Sequence, residues 1–531
     1  MFNLPTWVAF ALFTFIGALS IGVSGRLKIS NYFKLNLGVI ALLLFPLAYN
    51  SSALAAPGLY VVAVIFAAVY FFMIVSQHSR QAFKIKLLLI LYISTLIQSA
   101  WGLIQYYFIF ENSPIFFNAE NSTIPYGIFG QQNVYTTFLS FGSLLSIFFL
   151  VRGKKTKSLI IFTFLVVLLN AHLSMLAEAK TGRVVALISI CAYLMFCIYF
   201  YKIRTIGLSL ILLACLFSFM PKQWFDVRPE QEITAPIGIN SMGIRPQMYK
   251  VGLKMIADKP ITGIGIGNMP REFLSRKALE TESGFANKPM RTIDHIHNEP
   301  MQWMVELGLV SGLGFVLLFA IWVRGLHKSE LDPSILLLAL PMVGHAMLEH
   351  PFHHSAAYFL AFITILSLSY RGAVNKVKLS KMMSISVVPV AAFISFQIVS
   401  FMFLLLVSLQ NMLDYRDNKK LDESMLYAVK VGPVLEDLYE HERYQWIVRR
   451  GVASGNLSYE AALAYINFLD GIRLTRPEPI IYGQLSQLYE FIGNSEKAWS
   501  TISEGREFYP WNEAIAERYM LMLENRQDQA Y

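Results

Sequence analysis

Long apolar runs separated by short polar breaks organise this chain. Twelve such runs fall at roughly 5–24, 33–50, 57–75, 87–109, 133–151, 158–177, 183–201, 204–220, 301–323, 333–349, 355–370 and 382–410. Each approaches the ~20 residues that a helix needs to cross a bilayer core. More apolar sequence, not soluble chain, follows the first run, so it reads as a retained helix and not as a cleaved signal. The pattern predicts an all-α, polytopic membrane helix bundle of about 12 spans over residues 1–410.

Two stretches break the pattern. Residues 221–300 are polar and rich in Gly and Pro. They carry one amphipathic segment, Met248–Tyr249–Val251–Leu253–Met255–Ile256, suited to lying at a membrane surface. Residues 411–531 are charged and helical by pattern and form a second domain. There Tyr482, Leu485, Ser486, Tyr489, Ala498, Ile502, Gly505 and Pro510 fall at the apolar, small and Pro sites of a 34-residue tetratricopeptide unit. One unit cannot bury its own face, so helices at 421–470 and 512–525 are expected to complete a small TPR-like structure that binds protein.

Composition agrees: 55% hydrophobic and 15% charged residues, with a mean hydropathy of +0.49, exclude a water-soluble chain. Cys191, Cys197 and Cys215 all lie in apolar runs, which argues against a disulfide framework or a Cys-ligated metal. The net charge of +9 is a matter of topology and not of nucleic acid. Arg26, Lys28 and Lys34 follow the first run, Arg80, Lys84 and Lys86 the third, and Arg152, Lys154, Lys155 and Lys157 the fifth, and the alternation continues through the eleventh. The turns Asn50–Pro57, Glu111–Pro125 and Glu349–His354 hold no Lys or Arg. Translocated short loops avoid these cations. Both termini, the 221–300 segment and the tail therefore face outward, which in a Gram-negative cell means the periplasmic side of the inner membrane.

Ionisable groups near membrane depth are the best pointers to function. Arg183 follows Glu178, Lys180, Thr181 and Gly182 on the outer side, against the charge bias. It could also be a snorkelling interfacial Arg, or one paired with Glu178. Arg245 precedes the amphipathic segment and, alone, has the profile of a solvated loop charge. The stretch Gly263–Ile264–Gly265–Ile266–Gly267 lacks a Walker Lys and the GxGxxG spacing, so it reads as a packed turn and not as a nucleotide loop.

The densest cluster is Asp294–His295–Ile296–His297–Asn298–Glu299–Pro300, ahead of a helix containing Glu306. Asn298 as N-cap and Pro300 in the first turn need no function. The two His do, although their spacing is a weak metal signature beside His-Glu-x-x-His. His345, Glu349, His350, His353 and His354 form a second cluster. Arg forks grip phosphate oxygens and imidazole can take a proton from a hydroxyl, a set suited to glycosyl transfer from a lipid-linked diphosphate without nucleotide or metal.

With these residues in view, the chain resembles the superfamily of O-antigen ligases, O-antigen polymerases and protein O-oligosaccharyltransferases of bacterial inner membranes, over about 90–370. His297–Asn298 through Glu306–Leu307–Gly308 is similar to its His-Asn…Glu-x-Gly motif. Gly130–Gln131–Gln132–Asn133 and His345–Ala346–Met347–Leu348–Glu349–His350–Pro351 resemble elements of the PglL-like, protein-glycosylating branch, with Gln132 where that branch has Pro.

The resemblance implies a GT-C-like bundle that moves a glycan en bloc from undecaprenyl diphosphate to a Ser or Thr hydroxyl of a periplasmic protein, often a type IV pilin. It implies that Arg183 and Arg245 hold the diphosphate and that His297 activates or orients the acceptor. Gln131, Asn133, Asn298, His345 and Glu349 would line the site. No cofactor or metal is expected; the partners are the lipid-linked oligosaccharide, the acceptor protein and membrane lipid. Rival readings are an O-antigen ligase acting on lipid A core, a polymerase, a secondary transporter, for which no internal symmetry is found, and a scaffold without catalysis.

Overall fold

A computed structural model describes residues 4–49, 56–77, 80–108, 124–219, 241–281, 283–290, 293, 295–418 and 432–528. The first eight runs form α1 (Leu4–Ser24), α2 (Asn31–Leu44), α3 (Ala56–Ser76), α4 (Gln81–Tyr107), α5 (Gln132–Arg152), α6 (Lys157–Leu176), α7 (Lys180–Tyr201) and α8 (Arg204–Phe219). The middle segment contributes α9 (Ser241–Asp258) and α10 (Met269–Ala278). There follow α11 (Glu299–Leu307), α12 (Leu309–His327), α13 (Pro333–Leu336), α14 (Leu340–Ala346), α15 (Pro351–His354), α16 (Ala356–Ser369) and α17 (Lys381–Asn418). The outward loop read at Glu111–Pro125 lies almost wholly outside the described residues, as do Asp294 and 221–240.

Eight of the described helices are long and apolar enough to cross a membrane, against the twelve runs expected. Others, such as Pro333–Ala346 and Ala356–Ser369, are apolar but shorter. Two runs are interrupted. The run 301–323 breaks at Gly308 (φ 77°) into α11 and α12. The run 333–349 divides into α13, a 3-10 turn at Leu337–Ala339, and α14, whose first turn holds Pro341 and so lacks one backbone donor.

The all-α expectation also missed a two-stranded antiparallel sheet, β1 (Arg26–Ser30) with β2 (Val374–Lys378). β1 (RLKIS) alternates polar and apolar residues, whereas β2 (VNKVK) does not, and five residues are too short a signal to stand out between apolar runs.

α5 is the axis of the bundle, with 94% of its apolar window buried, whereas the same measure is 11% for α17 and 22% for α12. A helix wrapped by protein can carry small polar residues, and Thr136, Thr137, Ser140, Ser143 and Ser146 of α5 are all buried. Small residues let backbones approach where lipid provides no hydrophobic drive. A Cβ on Gly142 would lie 2.6 Å from Thr95 Oγ1 of α4. Asn170 of α6 donates to Leu139 O (2.9 Å) and Ser143 Oγ (3.1 Å) of α5 and accepts from Ser99 Oγ of α4 (2.7 Å), a satisfied network that fixes three helices.

Most of the amphipathic segment's apolar face packs against protein. Met248, Val251 and Met255 of α9 are buried with Phe273, Phe285, Ile296 and Val305 in a small core of their own, while Leu253 is exposed. Protein covers the buried part of this apolar face, where a membrane surface was expected to cover it.

The tail contains helices Gly432–Ser454, Tyr459–Thr475, Pro479–Phe491, Ser495–Phe508 and Glu513–Asp528. Tyr482, Leu485 and Tyr489 of one helix pack with Ala498 and Ile502 of the next, and a Cβ on Gly505 would meet Tyr482 Cβ at 2.9 Å. Leu274 of α10 enters the same core, and Arg271 of α10 pairs with Glu504 at 2.9 Å, so the tail docks on the middle segment.

Candidate functional site

Two glycines make the middle segment and the start of α12 one unit. Ile264 N donates to Val305 O (2.9 Å), Gly265 N to Glu306 O (2.9 Å) and Leu309 N to Pro260 O (2.7 Å). A Cβ on Gly263 (φ +64°) would lie 2.3 Å from Glu306 O, and one on Gly308 2.3 Å from Ile261 O. The Gly-rich stretch is thus a close-packed turn, and the Glu-x-Gly pattern at Glu306–Gly308 is the surface it packs on. Gly267 N also donates to Glu306 Oε1 (3.3 Å), yet burial raises that carboxyl to about 7.

This unit holds His297 and Asn298. His297 has φ 55°, a left-handed backbone costly for a non-Gly residue, and its carbonyl accepts from Tyr249 OH (3.2 Å). Asn298 caps α11 by accepting from Met301 N (2.8 Å), as expected. Its amide also donates to Met347 O (2.7 Å), which ties this loop to the turn after α14.

Glu349 lies on that turn, buried, at the centre of the site. Its Oε1 accepts from Asn133 Nδ2 (2.7 Å) and Arg245 Nη2 (3.0 Å); its Oε2 accepts from Gln131 Nε2 (2.7 Å) and faces His345 Nε2 (3.3 Å). Burial opposes the charge, but His345, Gln131 and Arg245 outweigh it and hold the carboxyl low, at about 2. Gln131 caps α5 with its other amide atom (Val134 N, 2.9 Å), and Asn133 Oδ1 accepts from Gly182 N at the start of α7 (3.0 Å). The starts of α5 and α7 thereby converge on one carboxylate. A Cβ at Gly182 would crowd Thr136 Cβ at 2.9 Å, so the approach of α7 depends on glycine. Thr137 and Tyr358, which the sequence reading missed, extend the network: Thr137 Oγ1 is 3.0 Å from His345 Nδ1 and accepts from Tyr358 OH (3.0 Å).

Arg245 is no solvated loop charge; it is 7% exposed, and its Nε has no hydrogen-bond partner. Arg183 is half-buried, adjoins Gly182, and lines a cleft of about 20 Å³ with Ser140, Ser143, Asn170 and Ser174. No ion pair with Glu178 holds it among the described residues. The hydrogen-bonded path from Gly182, next to Arg183, to Arg245 runs through Asn133 and Glu349.

The two His clusters of the sequence are one cluster in space, without His345. The His295 ring lies 4.4 Å from that of His297, 5.1 Å from His350 and 5.9 Å from His354, and His350 stacks on His353 at 4.2 Å. Burial, then the four neighbouring imidazoles, pushes His350 far below the ordinary imidazole range. Glu299, part of the sequence cluster but given no role there, is buried with Oε atoms 3.4 Å from His350 Nε2 and 3.3 Å from His353 Nδ1. Glu299, His350 and His353 place ligand atoms within 4.8 Å of one another, a group able to hold a metal. Its position in the first turn of α11 was the available signal, because a carboxylate there ordinarily serves the helix terminus.

The fold and site define a multi-pass membrane protein with an Arg- and His-rich polar site at the ends of its helices. Residues 173–319 match the family profile described as O-antigen ligase, and residues 334–521 match that of the C-terminal part of the virulence factor membrane-bound polymerases. Members of the first family transfer glycans, and the chain is similar to that family over residues 173–319. Arg183, Arg245 and His297 fall in the first match and His345 and Glu349 in the second, whereas Gln131 and Asn133 precede both. No curated protein matches the chain.

Proposed function

We propose that this protein is an O-linked oligosaccharyltransferase. It transfers a glycan en bloc from undecaprenyl diphosphate to a Ser or Thr hydroxyl of a protein outside the cytoplasm, pilin-like in type. The observation that carries the reading is Arg245: a buried guanidinium aligned by Glu349, with its Nε–H unpartnered, lacks an oxygen acceptor, and a diphosphate oxygen supplies one. Arg183, uncommitted among the described residues, is the second cation for the leaving group. The acceptor oxygen attacks the anomeric carbon, the bond from that carbon to the diphosphate oxygen breaks, and undecaprenyl diphosphate leaves with the electron pair. His297 takes the hydroxyl proton.

Stabilising the charge that develops on the leaving group is the larger contribution, with a base adding about 10²–10⁴-fold. Glu349, Gln131, Asn133 and His345 position Arg245, and Asn298 positions the His297 loop. The tail, read as TPR-like, presents the acceptor protein. No step draws on a nucleotide or metal, and activity is expected to survive chelation.

The test is intact mass spectrometry of a co-expressed pilin from cells that build a lipid-linked glycan. A glycan-sized gain that requires this protein and is lost in Arg245→Ala supports the reading. An unmodified pilin with an altered lipopolysaccharide ladder moves the acceptor to lipid A core or a growing glycan, the ligase and polymerase reading that the family matches favour.

A further inference from the structure

Far from the Glu349 network the bundle holds a cavity of about 530 Å³. It opens between the end of α1, the end of α3, the start of α4 and the two strands, and its lining includes Arg26, Lys28, Arg80, Lys86, Lys376 and Ser24. Gln105 near the other end of α4 bonds the loop at Gly127, just ahead of Gln131 (2.8 Å). At 1.5 Å per helical residue the cavity and the site are roughly 30 Å apart.

Charge here is one-sided to a degree that the topological bias alone does not require. No acidic residue lines the cavity, and the chain has no Asp or Glu before Glu111. None of the five lining cations makes an ion pair among the described residues. The strand register sets Arg26 opposite Lys378 and Lys28 opposite Lys376. Residues two apart share a face, so four cations crowd one side of a two-stranded ribbon, and like charges directly opposite destabilise a sheet. Positive-inside sorting asks only that Lys and Arg stay on one side of the membrane. It does not ask them to converge around a cavity.

We infer that this cavity binds a phosphate-bearing anion, and that the anion is the headgroup of an anionic phospholipid. Membrane lipid is favoured over a soluble phosphate because the cavity lies at the ends of α1 and α4, both long and apolar enough to cross a membrane, and because Ile21 and Phe83 give it an apolar wall for acyl chain. Basic pockets between spans on the cytoplasmic side suit such headgroups. The bound phosphate offsets the cross-strand repulsion and so clamps β1 to β2, joining α1 to α17. This inference does not depend on the glycosyl-transfer reading.

Native mass spectrometry of the detergent-solubilised full chain tests it, with Arg80→Ser/Lys376→Ser as the variant. Both side chains are exposed, outside the proposed catalytic site, and unpaired among the described residues. Wild type is expected to carry at least one anionic phospholipid adduct. The double variant, melting within a few degrees of wild type, is expected to retain it at least 10-fold less. Delipidated wild type is expected to bind nanodiscs containing phosphatidylglycerol and not phosphatidylcholine alone, and millimolar inorganic diphosphate is expected not to displace the lipid. Equal adduct retention in the variant overturns the site. Displacement by diphosphate, with diphosphate binding on its own, overturns the lipid assignment in favour of a soluble phosphate compound.

Discussion

Replacing Glu349 by Gln keeps the shape of the side chain but leaves Arg245 as a buried cation without a counter-charge. The new amide also brings two donors to a place where Gln131, Asn133, Arg245 and His345 already point donors. The partners hold the carboxyl well below the usual carboxylate range, so the ionised form is the one the fold favours. Removing one partner of a buried pair costs about 3–5 kcal/mol by general experience. The folded-state pKa is depressed, so this stability is complete above about 4.5 and is lost as pH falls toward 2. Measurement at pH 7.5 therefore sees all of it. For a chain of this length, unfolding entropy of about 2.1 cal/mol/K per residue converts the loss to roughly 3–5 °C in Tm.

The assay is thermal unfolding in detergent of Glu349→Gln, Arg245→Gln and the double variant. A coupling of at least about 1 kcal/mol is expected between the two sites, with the double variant less damaged than the sum of the singles. Strict additivity, or a Glu349→Gln protein that melts within 1 °C of wild type, would refute the idea that this carboxylate holds the site together.

Three further outcomes are expected. His297→Asn, a residue that tolerates a left-handed backbone, should fold normally and lower glycan transfer by about 10²–10⁴-fold in an in-cell pilin assay; full activity removes His297 from the chemistry. Gly308→Ala should cost more than about 3 kcal/mol and lower membrane expression, because its Cβ has no room beside the Ile261 carbonyl. Glu306, whose carboxyl is raised to about 7, binds its proton more tightly folded than unfolded, so stability should fall as pH rises from about 4.5 to 7 and level off above. Glu306→Gln should flatten that slope in a Tm-against-pH series, with a gain of roughly 1–3 kcal/mol at pH 8.

The membrane class, the helical runs and the polar residues worth attention could be read from the chain because each rests on a local property. Hydropathy over about 20 residues identifies a helix for lipid, and an Arg or His cluster beside an apolar run stands out by its desolvation cost. Asn298 as a cap and Gly263–Gly267 as a packed turn were legible for the same reason. What depended on distant partners was not. That Glu349 gathers Gln131, Asn133, Arg245 and His345 involves separations of 218 and 216 residues to the first two and 104 to the third. No periodicity encodes such pairs.

The amphipathic α9 shows the limit from the other side. Its pattern established that one face must leave water, but whether lipid or protein would cover that face was settled by Phe273, Phe285 and Ile296 arriving from elsewhere in the chain. The breaks at Gly308 and within 333–349 follow the same logic. A run of apolar residues sets a preference for helix, while straightness depends on which backbone must pack against it, and here the Pro260–Gly265 turn demands the space.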